Sequence, residues 1–290
     1  MQYIGRIYRP PSEAHSLIVQ VTVGCTHNKC TFCSMYKEKS FRIKPFETVL
    51  GDMYEARQHY GHVERVFFAD GDAMCMMTDD LLRLLNAVRE IFPECSRVGI
   101  YSRSSHILSK DEAELKALLD AGLGIVYIGA ESGSDEVLKR IQKGETSEKM
   151  VSAVRKAENT GIKTSVTFIS GMGGSELMTE HAIKTGEMIT AMDASYVGLL
   201  TLLVDDEAPI CKDIQTGSFK QLRQPEVMDE LETIIENTNC RSETVFRSNH
   251  ASNWLALGGT LPQDKDMMLA QIRAAKADKS VLRDEWMRRL

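Results

Sequence analysis

Short apolar segments alternate along this chain with longer amphipathic segments. The apolar runs are rich in β-branched residues, and they predict six strands: Ser16–Val23, Arg65–Ala69, Ser96–Tyr101, Gly124–Ile128, Lys163–Ile169 and Ser195–Val204. The amphipathic segments repeat their apolar positions with helical spacing and predict helices at about 46–60, 79–92, 110–121, 135–142, 147–160 and 176–190. Most strands are continuously apolar, which is typical of a parallel sheet covered by helices.

Local signals mark where several of these elements begin and end. Ser109 and Glu112 have the spacing of a capping box ahead of the apolar helical face that contains Leu115. Gly122 and Gly161 each end a predicted helix just before a predicted strand, because glycine readily adopts the left-handed conformation that terminates helices. These signals support the same alternation of strand and helix.

Six strand–helix units in succession predict an α/β fold, either a barrel or a doubly wound sheet. In both folds the chemistry lies at the carboxyl ends of the strands. After about residue 205 the repeat fades, and helices are predicted at 225–239 and 264–288 with one further strand at Thr244–Phe246. We therefore divide the chain into an N-terminal arm (1–15), a (β/α)6 core (16–205) and a helical C-terminal extension (206–290) that covers the substrate side.

Composition narrows the class of protein. Of the 290 residues, 43% are hydrophobic and 26% are charged, which is the balance of a water-soluble globular protein. The net charge of −6 disfavours nucleic acid as a partner, since an acidic chain does not attract phosphate backbones. No apolar run reaches the roughly 18 residues that a membrane span needs, and the first residues lack the apolar core of a signal peptide. The sequence predicts a cytoplasmic protein with no membrane association.

Three of the seven cysteines, Cys25, Cys30 and Cys33, fall within nine residues directly after the first predicted strand. An odd number of cysteines in a chain without a secretion signal disfavours a disulfide framework. The spacing C-x4-C-x2-C lets three thiolates of one short loop reach one metal centre. Three ligands would leave one iron of a [4Fe–4S] cluster open to a substrate or cofactor, because such clusters take four.

The cysteine triplet is also compatible with a metal site that has no catalytic role. A structural zinc site takes four ligands, so it would need His27 or a distant cysteine as well. An electron-transfer cluster would need one of the four isolated cysteines, which are Cys75, Cys95, Cys211 and Cys240. Either site would make the chain a non-catalytic Fe–S or zinc protein that acts in electron transfer or binds a partner. Chance clustering of buried cysteines is a further alternative.

The cysteine motif resembles that of the radical S-adenosylmethionine (SAM) superfamily, over about residues 12–205. The usual family spacing is C-x3-C-x2-C with an aromatic residue beside the third cysteine, and this chain has Phe32 there but one extra residue between the first two cysteines. The resemblance implies a partial (β/α)6 TIM-type barrel with a [4Fe–4S] cluster held by Cys25, Cys30 and Cys33. It also implies SAM as the second cofactor, with Phe32 next to it.

The resemblance assigns SAM contacts to the ends of the second and third strands. Asp70, Gly71 and Asp72 occupy the place of the family's Gly-Gly-Glu, which meets the methionine amino group. Ser102 and Arg103 fall where related enzymes contact the ribose or the carboxylate. A cationic amine needs acceptors and an Arg can pair with a carboxylate, so the residue types suit these roles. The alternatives are an acidic turn and a surface cation.

Two later strand ends extend the resemblance toward the branch with coproporphyrinogen dehydrogenase and the methylthiotransferases. Glu131 and Ser132 fall at the family's ribose-contacting position, and Lys143 falls where an Arg often faces the methionine carboxylate. Ile169 and Gly171 match the family's adenine-holding Gly-x-Ile-x-Gly motif, although Thr167 replaces its first Gly and the Pro of the following turn is absent. The resemblance thus implies Ile169 and Met172 as an apolar face for adenine. A solvated helix end and ordinary core packing are the simpler interpretations of these residues.

The implied function is a radical SAM enzyme of oxidoreductase or transferase type. The cluster reduces SAM, and the 5′-deoxyadenosyl radical abstracts hydrogen from a small-molecule or peptide substrate. A flavodoxin- or ferredoxin-type protein would supply the electron. The polar run with Arg247, Asn249 and His250 offers candidate catalytic residues on the substrate side, or only a capped turn. A SAM methyltransferase without radical chemistry would have no use for the cysteine triplet.

Overall fold

The computed structural model describes residues 1–288. Strands and helices alternate over most of this range, as the apolar pattern predicts. The strands of the described range are β1 Leu17–Gln20, β2 Thr22–Val23, β3 Arg42–Ile43, β4 Arg65–Ala69, β5 Arg97–Tyr101, β6 Leu123–Glu131, β7 Lys163–Ser170, β8 Tyr196–Thr201, β9 Thr244–Ser248 and β10 Leu257–Leu261. The α-helices there are α1 Phe46–His59, α2 Thr78–Ile91, α3 Ser104–Leu108, α4 Glu112–Asp120, α5 Asp135–Arg140, α6 Ser147–Thr160, α7 Met178–Met192, α8 Ile210–Thr216, α9 Gln224–Glu236 and α10 Lys265–Ala277.

The main sheet is mostly parallel. Within residues 1–288 it has the strand order β1-β4-β5-β6-β7-β8-β9-β10, and β2 and β3 form a separate antiparallel pair. Strands β1, β4, β5 and the start of β6 pair in parallel, as do β7, β8 and β9, whereas β10 runs antiparallel to β9. Parallel neighbours joined by helices define the α/β class, as the sequence predicts.

The chain divides into two compact units. Unit 1 comprises residues 1–28, 35–128 and 156–164. Its core includes Phe67 and Tyr127, whose rings meet edge to face with centroids 5.7 Å apart. The N-terminal arm belongs to this unit, because the buried carboxylate of Glu13 pairs with Arg97 at 2.5 Å and accepts a hydrogen bond from Tyr127. The arm is thus tied to the core by a buried carboxylate.

Unit 2 comprises residues 29–34, 129–155 and 165–290, of which the structure describes those up to 288. Helices α7, α9 and α10 pack on one another within it, and their apolar faces are buried. Its sheet includes most of β7 together with β8, β9 and β10, and in it Tyr196 pairs with Val245 and Leu257 with Ser248. The C-terminal extension therefore contributes two strands to the sheet as well as helices.

Two details of the sequence prediction are wrong. The capping box of α4 is formed by Asp111 and Glu114, each side chain bonding the other's backbone N–H, and not by Ser109 and Glu112. Ser109 instead follows the short helix α3 and bonds the carbonyl of His106. The helix predicted at 264–288 ends at Ala277, because the chain beyond it forms only short 3₁₀ turns.

Gly122 and Gly161 end their helices as predicted. Their φ angles are +112° and +100°, the region that L side chains rarely adopt. Four short elements were not predicted at all: β3, α3, α8 and β10. They have two to seven residues each, and β10 in addition contains two glycines, which are depleted in strands.

Candidate active site

The three clustered cysteines lie on the loop between β2 and β3. Each is half-buried, and the described cysteines are all free of disulfide bonds. In unit 1 the loop begins at Gly24, whose N–H donates to Asp70 at 3.0 Å, and is fixed by Asn28, whose amide donates to the Tyr36 carbonyl at 2.7 Å. Asn28 has φ +45°, a left-handed conformation that Asn tolerates well.

The part of the loop that carries Cys30 and Cys33 is anchored in unit 2. The backbone N–H of Thr31 donates to the carbonyl of Ile141 at 3.0 Å, and the N–H of Ile210 donates to the carbonyl of Thr31 at 2.8 Å. Phe32 packs beside the buried cluster formed by Ala208, Ile210 and Phe219. Phe32 therefore has a packing role in addition to the cofactor contact predicted for it.

Asp70, at the carboxyl end of β4, is fully buried in unit 1. Its Oδ2 lies 2.9 Å from the Nζ of Lys39 and also accepts the N–H of Gly24 at 3.0 Å. The other carboxylate oxygen has no hydrogen-bond partner among the described residues. Asp70 thus binds the start of the cysteine loop directly and its far end through the buried cation of Lys39, contacts that the sequence pattern did not reveal.

Asp72 is a carboxylate of unit 1 with three partners. It is fully buried, accepts hydrogen bonds from the Thr26 hydroxyl and from the backbone N–H of Arg103 at 3.1 Å, and lies 2.9 Å from Nδ1 of His106. The neighbouring Ser102 hydroxyl donates to the carbonyl of Arg103 at 2.7 Å. The structure therefore joins the ends of β4 and β5 through Asp72.

Gly71, between these two carboxylates, packs directly against the cysteine loop. A Cβ built on it would lie 2.6 Å from Cε2 of Tyr36 and 3.1 Å from Cβ of Cys25. Its N–H donates to the carbonyl of Gly24 at 3.1 Å. Only glycine fits this contact, so the glycine brings β4 and the first cysteine together.

In unit 2, Glu131 and Lys143 form a largely buried ion pair. Oε1 of Glu131 lies 2.8 Å from Nζ of Lys143, and the side chains are only 9% and 12% exposed. Burial alone would lower the pKa of Lys143, but the charges of Glu131 and Cys30 outweigh it and raise the pKa above the usual lysine value. Glu131 has φ +69°, so this strand end adopts a backbone conformation rare for L residues.

The ends of β6 and β7 carry the remaining predicted residues of unit 2. The Ser132 hydroxyl lies 2.8 Å from Nδ1 of the buried His181. At the end of β7, the N–H of Met172 donates to the carbonyl of Ile169 at 3.3 Å, and Met172 is fully buried whereas Ile169 is partly exposed. Behind this turn lies the buried carboxyl of Glu230, which accepts the N–H of Gly171 at 2.6 Å.

An open cleft of about 920 Å³ lies within unit 2 at the ends of β7 and β8. Its floor includes Ser170, Gly171 and Thr201, and its walls come from α8, α9 and the last residues of the described chain. The walls carry both signs of charge and one aromatic ring: Arg223, Lys279, Arg283, Arg288, Asp206, Asp284, Glu285 and Trp254. The guanidinium of Arg288 lies 3.4 Å from the centre of the Trp254 ring.

The predicted substrate-side residues lie elsewhere in unit 2. Arg247 and Asn249 line a separate shallow groove with Gly258, and Arg247 donates to the carbonyls of Phe246 and Gly259. His250 bonds Ser252, and burial together with Arg283 lowers the pKa of its ring. None of these three residues is in the lining of the large cleft.

Several buried or half-buried polar residues beside the predicted ones had no signal in the sequence. Thr26, Lys39, His106, His181 and Glu230 are separated from their partners by between 31 and 60 positions. Among residues 1–288, no group of three His, Cys, Asp or Glu side chains lies close enough to hold a single metal ion.

The fold and the cysteine motif together define the class of protein. A family model for the radical SAM superfamily matches residues 19–184, more than half of the chain, and Cys25, Cys30 and Cys33 fit its motif. The chain belongs to the radical SAM superfamily. It is an enzyme of that superfamily, whose members carry a [4Fe–4S] cluster and SAM.

Individual relatives share only part of this chain. A Methanocaldococcus jannaschii protein provisionally named a methylthiotransferase is 28% identical over 162 residues, covering 53% of this chain and 35% of that one. The 4′-phospho-dehydrooxetanocin synthase of Priestia megaterium is 29% identical over 173 residues, covering 53% of this chain and 23% of the synthase. The matched segment spans about a third or less of these two relatives.

Solved structures match over more of the chain. The radical SAM methyltransferase TsrM of Kitasatospora setae, with cobalamin and a [4Fe–4S] cluster bound, gives a TM-score of 0.56 at 22% identity, covering 70% of this chain and 37% of TsrM. Elp3 of Methanocaldococcus infernus gives 0.52 at 16% identity, covering 92% and 64%. These likenesses confirm the fold class, the partial TIM barrel of the superfamily. In the described part of the chain, no helix has the length and apolarity of a membrane span.

Proposed function

We propose that this enzyme cleaves SAM reductively and uses the resulting 5′-deoxyadenosyl radical to take a hydrogen atom from a small-molecule or peptide substrate. When bound, the [4Fe–4S] cluster would supply one electron to the sulfonium, so that the S–C5′ bond breaks and methionine leaves. The observation that carries the proposal is the cysteine triplet: three half-buried cysteines without disulfide bonds on one anchored loop, in a chain of this superfamily.

The donor set suits a cluster with one open iron. Cys25, Cys30 and Cys33 would bind three irons as thiolates. Lys143 places a cation near Cys30, close enough for the two charges to interact. A positive charge near thiolates stabilises their ionised form and suits a ligand that carries a carboxylate, so the residues present fit both the cluster and the methionine end of SAM.

The chain's own residues would orient SAM through four strand ends. We assign Asp70, Gly71 and Asp72 of unit 1 to the methionine amino group, with Ser102 and Arg103 beside them. Of these, Asp72 is already held by three partners, so its carboxylate is fixed before any ligand binds. Fixed acceptors lower the cost of orienting a ligand.

In unit 2 we assign Glu131 and Ser132 to the ribose, Lys143 to the carboxylate, and Ile169 and Met172 to adenine. The Glu131–Lys143 pair keeps both charges fixed in a largely buried setting, where an unpaired charge would be costly. Met172 is fully buried, so in this structure Ile169 offers the more accessible apolar contact.

The cleft of unit 2 supplies the most suitable place for a substrate. It opens at the ends of β7 and β8, where α/β enzymes bind their ligands, and its volume of about 920 Å³ accepts a small molecule or a short peptide. The C-terminal segment 206–288 forms most of its walls, which supports a role for the extension on the substrate side. The mixed charges favour a polar, zwitterionic substrate.

We assign the electron supply to a flavodoxin- or ferredoxin-type protein.

An anaerobic assay tests this function. Protein reconstituted with iron and sulfide is reduced with dithionite and mixed with SAM, and 5′-deoxyadenosine is measured by chromatography. We expect the nucleoside from the unaltered chain and none from Cys30→Ala. Cys95→Ser is the matched control, because Cys95 lies outside the loop and its thiol bonds backbone groups such as the carbonyl of Arg97, which a hydroxyl can also do.

Each contrary result has a distinct meaning. Full cluster absorbance in Cys30→Ala would refute the ligand assignment. A cluster that forms and leaves SAM intact would favour an electron-transfer protein. Bound zinc without iron would favour a structural metal site and refute the proposed function.

A further inference from the structure

Two buried polar side chains lie behind the strand ends of unit 2 to which we assign the SAM nucleoside. His181 lies on α7 and Glu230 on α9, and they are 0% and 1% exposed. Nε2 of His181 is 3.9 Å from Oε1 of Glu230, and neither atom has a hydrogen-bond partner among the described residues. Two unsatisfied buried atoms facing each other point to a role beyond packing, because each costs free energy.

On their other sides both residues bind the strand ends. The Ser132 hydroxyl at the end of β6 lies 2.8 Å from Nδ1 of His181. Oε2 of Glu230 accepts the N–H of Gly171 at 2.6 Å and also the hydroxyl of Ser170, at the end of β7. The pair therefore connects the turn assigned to ribose with the turn next to the residues assigned to adenine.

Two glycines fix the distance between these turns and α7. A Cβ on Gly133 would lie 2.1 Å from the carbonyl oxygen of Lys184, and the N–H of Gly133 donates to the Thr185 hydroxyl at 3.1 Å. A Cβ on Gly173 would lie 2.9 Å from the carbonyl oxygen of Leu177. Both turns thus touch the helix backbone directly, so any shift of α7 must move them.

The hydrogen bonds indicate which atom of His181 carries the proton. The Ser132 hydroxyl oxygen accepts the N–H of Ser134 at 3.0 Å, which leaves its own hydrogen to donate to Nδ1. Nε2–H then faces Glu230. Burial lowers the pKa of His181 to about 4, against an opposing backbone contact with Ile169, so the ring is neutral at physiological pH.

The ionised and the protonated form of Glu230 are close in free energy at neutral pH. Burial raises the pKa of this carboxyl to about 7, and the bonds from Ser170 and Gly171 act against it. An ionised carboxylate accepts the Ser170 hydroxyl and the Gly171 N–H and attracts the His181 Nε2–H at 3.9 Å, whereas the protonated acid must turn one hydrogen toward a donor. The ionised form therefore holds the strand ends more firmly.

Few other charged groups face this pair. On α7, Glu180 accepts a hydrogen bond from the Ser134 hydroxyl at 2.6 Å. On the outer side of α9, Asp229, Glu232 and Glu236 pair with two cations of α10, which are Arg273 and Lys276. The charges of those outer carboxylates are neutralised by their partners on α10.

We propose that His181 and Glu230 are a positioning pair, which sets the spacing of the β6 and β7 strand ends for the SAM nucleoside. The inference rests on the proposed function, since it assumes that these two turns contact SAM. Neither residue touches the cofactor or the reacting atoms. Their effect reaches SAM through Ser132, Ser170 and Gly171.

The test has one readout that needs no cofactor. Hydrogen exchange at the Gly171 amide is compared between the unaltered chain, Glu230→Ala and Glu230→Gln, without cluster or SAM. Loss of a hydrogen bond to a charged group makes us expect roughly tenfold to a hundredfold faster exchange in Glu230→Ala. Glu236→Gln, on the exposed face of the same helix, is the matched control and should leave the exchange unchanged.

The second readout is SAM affinity, measured by calorimetry on cluster-loaded, oxidised protein between pH 6 and 8. We expect SAM binding by the unaltered chain to weaken as the pH falls through about 7. Affinity in Glu230→Gln should not follow pH, because the amide does not titrate, and Glu230→Ala should bind about tenfold more weakly at pH 8.

The outcomes separate the claims. An unchanged rate of hydrogen exchange at the Gly171 amide in Glu230→Ala refutes the claim that His181 and Glu230 hold the strand ends. Faster exchange with unchanged SAM affinity shows a structural contact only and overturns the positioning role. If Glu230→Ala does not fold, Glu230→Gln decides through its pH profile. If the unaltered chain neither binds nor cleaves SAM, the proposed function fails and the positioning role fails with it, whatever the exchange shows.

Discussion

Replacing Gly71 by Ala tests the close contact between β4 and the cysteine loop. The added Cβ would lie 2.6 Å and 2.9 Å from two ring atoms of Tyr36 and 3.1 Å from Cβ of Cys25. Contacts below 3.0 Å are not tolerated, so the ring or the loop must move. Tyr36 has little room, since it is 5% exposed and packs edge to face on Tyr8 at 5.7 Å.

The size of the effect follows from overpacking. Inserting a methyl group into a packed site costs about 1–3 kcal/mol, which lowers the Tm of a chain of this size by several degrees. Because the displaced atoms include those of Cys25, we expect reconstituted Gly71→Ala protein to hold less iron as well. The assay combines thermal unfolding of the protein before reconstitution with iron and sulfide analysis afterwards.

The matched control is Gly51→Ala in α1. No heavy atom lies within 4 Å of a Cβ built on Gly51, and the residue is exposed. This change should raise stability by about 0.8–1 kcal/mol, because alanine favours a helix interior over glycine. Normal stability and full iron content in Gly71→Ala, with the control behaving as expected, would refute the close-contact argument.

Three further predictions concern charge, capping and thiol reactivity. Lys143→Met should lower the free energy of unfolding in denaturant by about 3–5 kcal/mol, because it leaves the carboxylate of Glu131 buried and unpaired. The double variant Lys143→Met, Glu131→Gln should recover part of this loss. Equal losses in the single and the double variant would contradict the pairing. Asp111→Ala should lower the free energy of unfolding by about 1 kcal/mol through loss of the α4 cap, whereas Ser109→Ala should change it little. A larger loss in Ser109→Ala than in Asp111→Ala would instead support the capping box predicted from the sequence. Burial and, by a smaller amount, the nearby carboxylate of Asp72 raise the pKa of the Cys75 thiol to about 12. Cys75 should therefore react with iodoacetamide at pH 8 far more slowly in the folded protein than in guanidinium, as measured by mass spectrometry. Equal rates would contradict its burial.

The strands and long helices were predictable because their signals are local. The prediction for β4 is correct at both ends, and α6 was also placed correctly, since each has a clear apolar pattern and marked ends. The second capping box, two residues from the predicted one, shows where local signals fail. Ser109 and Asp111 are both suitable N-cap residues, but Ser109 is the C-cap of the unpredicted helix α3, so Asp111 caps α4.

The site was only partly predictable for a related reason. Cys25, Cys30 and Cys33 are near one another in sequence, so their spacing alone indicated shared chemistry. The roles of Lys39 and His106 were hidden, because their partners Asp70 and Asp72 lie 31 and 34 positions away and nothing in a single sequence pairs them. Arg247, Asn249 and His250 form a conspicuous polar run in the sequence, but none of them lines the large cleft.

The residue pattern alone is enough to predict the α/β class, the order of the main elements and the cysteine motif of the superfamily. Each of these depends on residue types at short, fixed spacings, and the backbone geometry of helices, strands and loops sets those spacings. The folded structure was needed to show which buried charges meet, as in Glu131–Lys143 and His181–Glu230, and which residues line the cleft. Those contacts join distant segments, and the packing of the whole fold sets their distances.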